Sequence, residues 1–453
     1  MNTNYYLKGM SEFTHCNISD KKNVVSTIGN YMLHEKPIVF DESTAYVRLA
    51  AHYEYIDYDD ISSIIRNFII PADRLSVSSG AVKEAIERVK DSPELQIDFK
   101  DNEKSKSELI HLNNGVYDIS SQTLKTADLS YGFNYRLNFN YLLESERSLD
   151  NFNYYIKTSI GKENEECLLR VIGAAMSSIR DFKKAVIILG APDSGKSKIL
   201  DLIEMAVGKQ YVTCKPFDKI GTEKAVASYI CGKRVNLSRD IRLGVIKEDG
   251  GFKSVISCEE ITGRLLYKNE ISVTPKVMFI AASNSFPKFK NADDACLNRL
   301  VVIKIKGFKG KPKIDFPEML FAEKDSICSL AIDKLQEFIR SGYDFCMSDE
   351  SKKLLEQEKT KLHTVESFIE EHYEPDSNGF ISSVKLYEHY KEWCKDNAID
   401  PVGRNTFYDD VCQINTAFIR DKVSDGEKRV NGFKGLKIKS NEWIIPKFKG
   451  GKK

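Results

Sequence analysis

The sequence predicts an α/β chain built on a parallel sheet, with a mostly helical segment before it and a small helical unit ending in a β-hairpin after it. Two observations carry that reading. From residue 184 onward, short apolar runs at 185–189, 235–237, 277–282 and 300–305 alternate with helical stretches, which is the pattern of a parallel sheet covered by helices. Near the carboxyl end, helical periodicity at 365–373, 384–398 and 404–412 is followed by two strand-like runs split at Asp425-Gly426.

The elements before the sheet are less regular. Residues 1–108 mix helical periodicity, as at 81–89, with polar stretches such as 100–107 that read as a linker; this amino-terminal domain offers no chemistry of its own. The run 109–119 alternates and turns at Asn114-Gly115, so a small strand pair should open the next unit. Residues 141–180 read as helices, with Leu168, Val171, Ile172 and Ala175 spaced for one buried face. The expected divisions are an amino-terminal domain (1–108), a helical collar (109–170), the sheet-bearing domain (171–347), a linking helix (348–363) and a carboxyl-terminal domain (364–453).

Composition narrows the class. A chain of 453 residues is long enough for two to four domains, and 42% apolar with 29% charged residues is that of a soluble globular protein. The first residues show no basic-then-apolar signal region, and no apolar run approaches bilayer length, so the expected location is the cytoplasm. Ten cysteines without a Cys-x-x-Cys pair, such as Cys231 and Cys346 in apolar context, read as reduced core residues rather than zinc ligands. Net charge is only +1, but residues 420–453 hold eleven Lys/Arg against four acids, with Phe433, Trp443 and Phe448 interleaved. That local excess suits a folded basic surface.

The strongest chemical signal is Gly190-Ala191-Pro192-Asp193-Ser194-Gly195-Lys196-Ser197, a full match to G-x-x-x-x-G-K-[ST] between an apolar strand and a helix at 198–206. Glycines let backbone N–H groups turn toward phosphates, and the helix N-terminus adds partial positive charge. Lys196 would neutralise the β/γ-phosphates of ATP, and the Ser197 hydroxyl would ligate Mg2+. Three further groups follow along the chain. The strand at 233–240 ends in Asp240, which can hold the magnesium shell or polarise the attacking water, although Asn236 and Ser238 make it polar for a central strand. The cleaner strand 277–284 ends in Asn284, whose amide can hold water near the γ-phosphate. Asn298-Arg299 then places a guanidinium where a neighbouring subunit's ATP would meet it; the competing reading of Arg299 is a salt bridge to Asp293 or Asp294.

In their order, these segments, together with Ile261-Thr-Gly-Arg-Leu-Leu-Tyr-Lys268 and Ala282-Ser-Asn284-Ser-Phe-Pro287, resemble the superfamily 3 helicases of the phage and plasmid primase-helicase family over roughly residues 109–415. Asn114-Gly115-Val116-Tyr117-Asp118 is similar to that family's pre-helicase region. Residues 365–394 are similar to the start of its carboxyl-terminal winged helix, and the chain looks most like the replication initiators of staphylococcal pathogenicity islands. The resemblance implies an AAA+ P-loop ATPase core, assembly as a homo-hexamer and movement on DNA by a hairpin that precedes the sensor strand. It makes Asp240 the Walker B acid, Asn284 sensor 1, Arg299 an arginine finger, and Lys268-Asn269 the hairpin tip gripping single-stranded DNA. Arg239 departs from the family, which usually has a small or acidic residue before the Walker B carboxylate, and Asp240 stands where Glu is common. The segment before residue 109 is too short for the family's primase half, so no primase activity is expected.

The carboxyl-terminal pattern of helices and a β-hairpin suggests a winged helix-turn-helix. Its third helix would offer Arg404, Asn405 and Thr406 to base edges while Phe407 and Val411 face the core. Lys422, Lys428 and Arg429 would form the wing. The reading is an ATP- and Mg2+-dependent DNA helicase that initiates replication of a mobile genetic element, with origin duplex and a host or phage regulatory protein as further partners. The alternative is an origin-binding ATPase switch without processive unwinding.

Overall fold

The computed structural model describes residues 3–18, 22–41, 44–99, 107–229, 232–239, 246–247, 250–264, 270–290, 293–308, 315–397, 399–425 and 428–439. Contacts divide the chain into two compact units: residues 1–291 with 298–351, and residues 292–297 with 352–453.

The first unit is built on a five-stranded parallel sheet whose neighbours run Leu300–Lys304, Ala185–Leu189, Met278–Ser283, Val235–Ser238 and Val212–Thr213. Ala185–Leu189 and Met278–Ser283 are buried along their whole length, as strands covered on both faces must be. The polarity of Val235–Ser238 has a local cause. Buried Asn236 accepts from Thr213 Oγ1 at 2.7 Å and from Lys215 N at 2.8 Å, and the Ser238 hydroxyl donates to Lys215 O at 2.7 Å. The two side chains stitch the outermost strand's exit to the sheet and satisfy one another, so the buried polar groups are paired. Helix Glu165–Met176 buries Leu168, Val171, Ile172 and Ala175 as expected, but every other residue from Cys167 to Met176 is buried too, so the helix is covered all round and not on one face alone. It runs through residues 170 and 171, so the expected collar and the sheet-bearing segment share this element.

The amino-terminal residues correct the expectation of a mostly helical domain. Helices Val24–Glu35, Tyr58–Phe68 and Ser79–Val89 are joined by an antiparallel sheet of Ile38–Asp41, Thr44–Arg48 and Tyr53–Ile56. Strands of four or five residues are too short for alternation to stand out. The predicted hairpin forms as Leu109–Leu112 and Gly115–Asp118, but Leu112 pairs with Gly115, which makes Asn113-Asn114 the connection, one residue earlier than expected. A third strand, Thr123–Lys125, completes that sheet.

A buried polar network lies between the amino-terminal sheet and this hairpin. Glu54 takes hydrogen bonds from His52 Nε2 at 3.0 Å and from the Tyr211 hydroxyl at 3.1 Å. The ring of His52 meets that of His111, which stacks on Phe133 and bonds through Nδ1 to Tyr135 O at 3.0 Å. Burial, reinforced by His52, pushes the His111 pKa down to about 3. The ring is therefore neutral in the fold while the unfolded chain takes a proton near pH 6.5, so its contribution is complete above that pH and is lost as pH falls toward the folded value. Lowering the pH to about 5 should cost roughly 2 kcal/mol through this residue. His111→Phe, which keeps the stacked ring, should flatten the pH dependence of the urea midpoint by that amount; an unaltered dependence would refute the assignment.

In the second unit, helices Thr364–His372, Ser383–Asp396 and Arg404–Ile414 pack on an antiparallel sheet ordered Tyr373–Ser382, Lys428–Ile438, Ile419–Asp425. Phe368, Tyr390, Phe407, Phe433 and Leu436 are wholly buried at its centre, with Tyr390 stacked on Phe407 at 4.5 Å. The strand Tyr373–Ser382 is an addition to the predicted hairpin. The cysteine expectation holds in part. Cys16, Cys167, Cys296, Cys328 and Cys394 are buried, but Cys214, just past the outermost strand of the parallel sheet, is exposed, Cys346 is half-exposed, and Cys231 lies outside the described residues. Among the described residues no cluster of His, Cys, Asp or Glu is placed to hold a metal ion, and no helix is long and apolar enough to cross a membrane.

Candidate functional site

The glycine-rich loop leaves the carboxyl end of Ala185–Leu189 and enters helix Lys196–Val207. Its path is set by two glycines. An added Cβ at Gly190 would lie 2.6 Å from Ile305 Cγ1 and 2.7 Å from Ser194 Oγ. Gly195 has φ of +97°, and an added Cβ there would lie 3.0 Å from Tyr155 Cε2. Asp193 also has positive φ, so the backbone at 193–195 alternates in hand, as in the concave turns that bring N–H groups toward an anion.

Lys196 is buried, and its ammonium donates to Gly190 O and Ala191 O, both at 2.7 Å, and to Ser194 Oγ at 3.2 Å. Ser197 is exposed on the first turn of the helix, and Ala191, Pro192 and Asp193 line the open side of the loop. A cradle that excludes side chains at two positions, backed by a helix N-terminus and a buried ammonium, fits the polyphosphate of a nucleotide.

Neighbouring strands bring further groups to the same edge. Ser283 pairs with Leu189, and Gly190 N donates to Ser283 O at 3.2 Å, so exposed Asn284 leaves the sheet beside the first residue of the loop. Ser238 pairs with Ala281 and ends its strand at this edge too. The next residue, Arg239, forms ion pairs with Asp201 and Glu204 on the helix that follows the loop. The departure at Arg239 thus has a structural use, anchoring the end of that strand to the loop's helix. Asp240 lies outside the described residues, as do Lys268 and Asn269, although the flanking strands Ile261–Arg264 and Glu270–Val273 pair antiparallel as a hairpin requires.

Arg299 stands at the opposite edge. Its carbonyl accepts from Ala185 N at 2.8 Å, at the start of the strand that ends in the loop. The five residues of that strand span roughly 16 Å, beyond the reach of one side chain. Its Nε donates to Ser257 Oγ at 2.9 Å, while the Asp294 carboxylate meets His363.

Tyr155 is a part of the site that the motif does not announce. Its buried hydroxyl donates to Gly195 O at 2.6 Å, and burial with nearby Asp201 raises its pKa. A tyrosine forty positions upstream carries no local sequence signal. Tyr155→Phe leaves that carbonyl without its donor, at a cost of about 1–3 kcal/mol. Affinity for ATP should fall about tenfold by titration with a fluorescent analogue; an unchanged affinity would show that the loop does not depend on this bond.

In the second unit, Arg404, Asn405 and Thr406 are exposed on the first turn of Arg404–Ile414, while Phe407 and Val411 are buried, as predicted. The Arg404 guanidinium lies 5.3 Å from the centre of the Tyr387 ring. Lys422 and Arg429 are exposed on adjacent strands; Lys428 faces Asp425 in the backbone register, its side chain and the connection at 426–427 being outside the described residues.

Two family models match parts of this chain. Residues 188–299, from the end of the loop strand to Arg299, match a family of unknown function (DUF5906), and residues 363–443 match the poxvirus D5 protein-like family. The carboxyl-terminal part of the chain is thus similar to poxvirus D5-like proteins. The "Putative helicase L207/L206" of Acanthamoeba polyphaga mimivirus is 23% identical over 408 residues, which are 83% of this chain and 41% of that protein. The chain therefore spans about two fifths of that relative's length. Among solved structures, the apo NrS-1 C-terminal region (305-718) is similar in fold, with a TM-score of 0.53 and 12% identity over 92% of this chain and 100% of that one. Its A form gives a TM-score of 0.50 with 12% identity over 90% and 98%.

Proposed function

We propose that this chain is an ATP- and Mg2+-dependent DNA helicase that initiates replication of a mobile genetic element as a homo-hexameric ring. The carrying observation is the placement of two groups on one sheet: the glycine-rich loop with Asn284 beside it at the carboxyl edge, and Arg299 at the other. A site that can bind ATP but cannot receive its own arginine suits an assembly in which each subunit completes its neighbour's site. On this reading the sheet is an AAA+ core of the superfamily 3 kind. Lys196 holds the β/γ-phosphates and Ser197 and Asp240 the magnesium. Asn284 orients the attacking water, and Lys268-Asn269 grips single-stranded DNA in the pore. The helices and sheet of the second unit serve as a winged helix in which Arg404, Asn405 and Thr406 read origin bases and Lys422, Lys428 and Arg429 touch phosphates. Similarity to a putative helicase and to D5-like proteins supports the helicase reading.

The test is strand separation on a forked DNA substrate with ATP and Mg2+, comparing wild type with Lys196→Ala and Lys268→Ala. Unwinding by wild type alone, with ATP turnover kept in Lys268→Ala, is the expected result. ATP turnover without unwinding in wild type would overturn the motor reading in favour of an origin-binding switch.

A further inference from the structure

We propose that His363 is a positioning residue for Arg299, tying the short helix that leads into the arginine to the first helix of the carboxyl-terminal unit so that DNA held by that unit adjusts the arginine. The inference rests on the arginine-finger reading above. Its basis is an unusual division of the chain: residues 292–297 group by contacts with residues 352–453, although both of their flanking segments belong to the first unit. Within that group His363 Nε2 lies 2.9 Å from Asp294 Oδ1, and Nδ1 lies 3.0 Å from Glu366 Oε2. Ionised carboxylates only accept, so an arrangement with one at each ring nitrogen favours the protonated ring. Asp294 first, then Glu366, raises its pKa accordingly.

The lever from this contact to the arginine is short and stiff. Asp294–Leu297 is a single helical turn capped by Asp293, whose carboxylate accepts from Cys296 N at 2.8 Å. Cys296 and Leu297 are buried, and Asn298-Arg299 follow directly. A displacement of Asp294 is thereby passed along a fixed turn instead of being absorbed by loose chain. The tie itself is weak. His363 is 42% and Asp294 51% exposed, and ion pairs that open to water add little to stability. It can be made and broken without unfolding either partner, which suits a coupling more than a brace.

The test uses the full chain with ATP, Mg2+ and forked DNA, and reads kcat and KM for ATP, DNA affinity and the melting midpoint. His363→Ala and Asp294→Asn should each lower DNA-stimulated kcat about tenfold, with KM, DNA affinity and melting unchanged. His363→Arg, which keeps a cation between the carboxylates, should restore most of the loss. Adding His363→Ala to Arg299→Ala should cost nothing more, since both act through one group. An additive double variant, or a His363→Ala protein that melts earlier or binds DNA more weakly, would show a merely structural role and overturn the proposal. Impaired Arg299→Ala with unimpaired His363→Ala overturns the tie alone. Unimpaired Arg299→Ala overturns the finger assignment and the tie together.

Discussion

Replacing Arg299 by alanine is expected to lower ATP turnover by about 10³ to 10⁵ while ATP affinity stays within about twofold of wild type. The asymmetry follows from position. Arg299 lies at the amino-terminal edge of the sheet, with its carbonyl bonded to Ala185 N, and the glycine-rich loop lies past Leu189 at the other edge. On the proposed reading, an arginine held there would act on a neighbour's transition state and leave binding of its own nucleotide unaffected. Complementation sharpens the test. Arg299→Ala and Lys196→Ala proteins should each be inactive alone. Random mixed assemblies place an intact loop against an intact arginine at roughly one interface in four, because a head-to-tail ring joins unlike surfaces of adjacent subunits. Recovery of ATP turnover on mixing would support shared sites. No recovery, with mixed rings verified by mass, would place the arginine's effect within its own chain.

How far the sequence could be read depended on whether a feature is local. The loop at 190–197 was legible because both glycines, the lysine and the serine sit in one octapeptide between a strand and a helix. The strands Ala185–Leu189 and Met278–Ser283 were legible because full burial leaves an unbroken apolar run. Asn236 and Ser238 looked out of place in a central strand, since their hydrogen-bond partners, Thr213 and Lys215, lie more than twenty positions away. Tyr155 and the anchoring of Arg239 to Asp201 and Glu204 were hidden for the same reason: each acts across a tertiary contact of 35 to 40 positions. In the second unit, Phe407 and Val411 followed from helical spacing, whereas the strand Tyr373–Ser382 did not. Only its two end residues are buried, Pro375 and Gly379 interrupt it, and nothing alternates. The amino-terminal sheet escaped because its strands are short and its turns have no distinctive dipeptide.

Lys196→Met is expected to abolish ATP turnover and to weaken ATP binding by about 10² to 10⁴, the loss of two charge-assisted hydrogen bonds to phosphate at roughly 1.5–3 kcal/mol each. The structure adds a second, less obvious consequence. The ammonium is buried against Gly190 O, Ala191 O and Ser194 Oγ, so a methionine of similar length would leave those acceptors beside a thioether. Unlike a surface lysine, this one should lower the melting midpoint of the nucleotide-free protein when replaced. Nucleotide should no longer raise that midpoint, because a ligand stabilises a fold only in proportion to its binding. Lys196→Arg separates the two effects: it keeps the charge, but its longer planar group does not match the compact ammonium's bonds to Gly190 O, Ala191 O and Ser194 Oγ. Its melting midpoint should also fall, with phosphate binding only partly retained. A Lys196→Met protein that melts like wild type and is still stabilised by ATP would mean that the loop does not receive the phosphates.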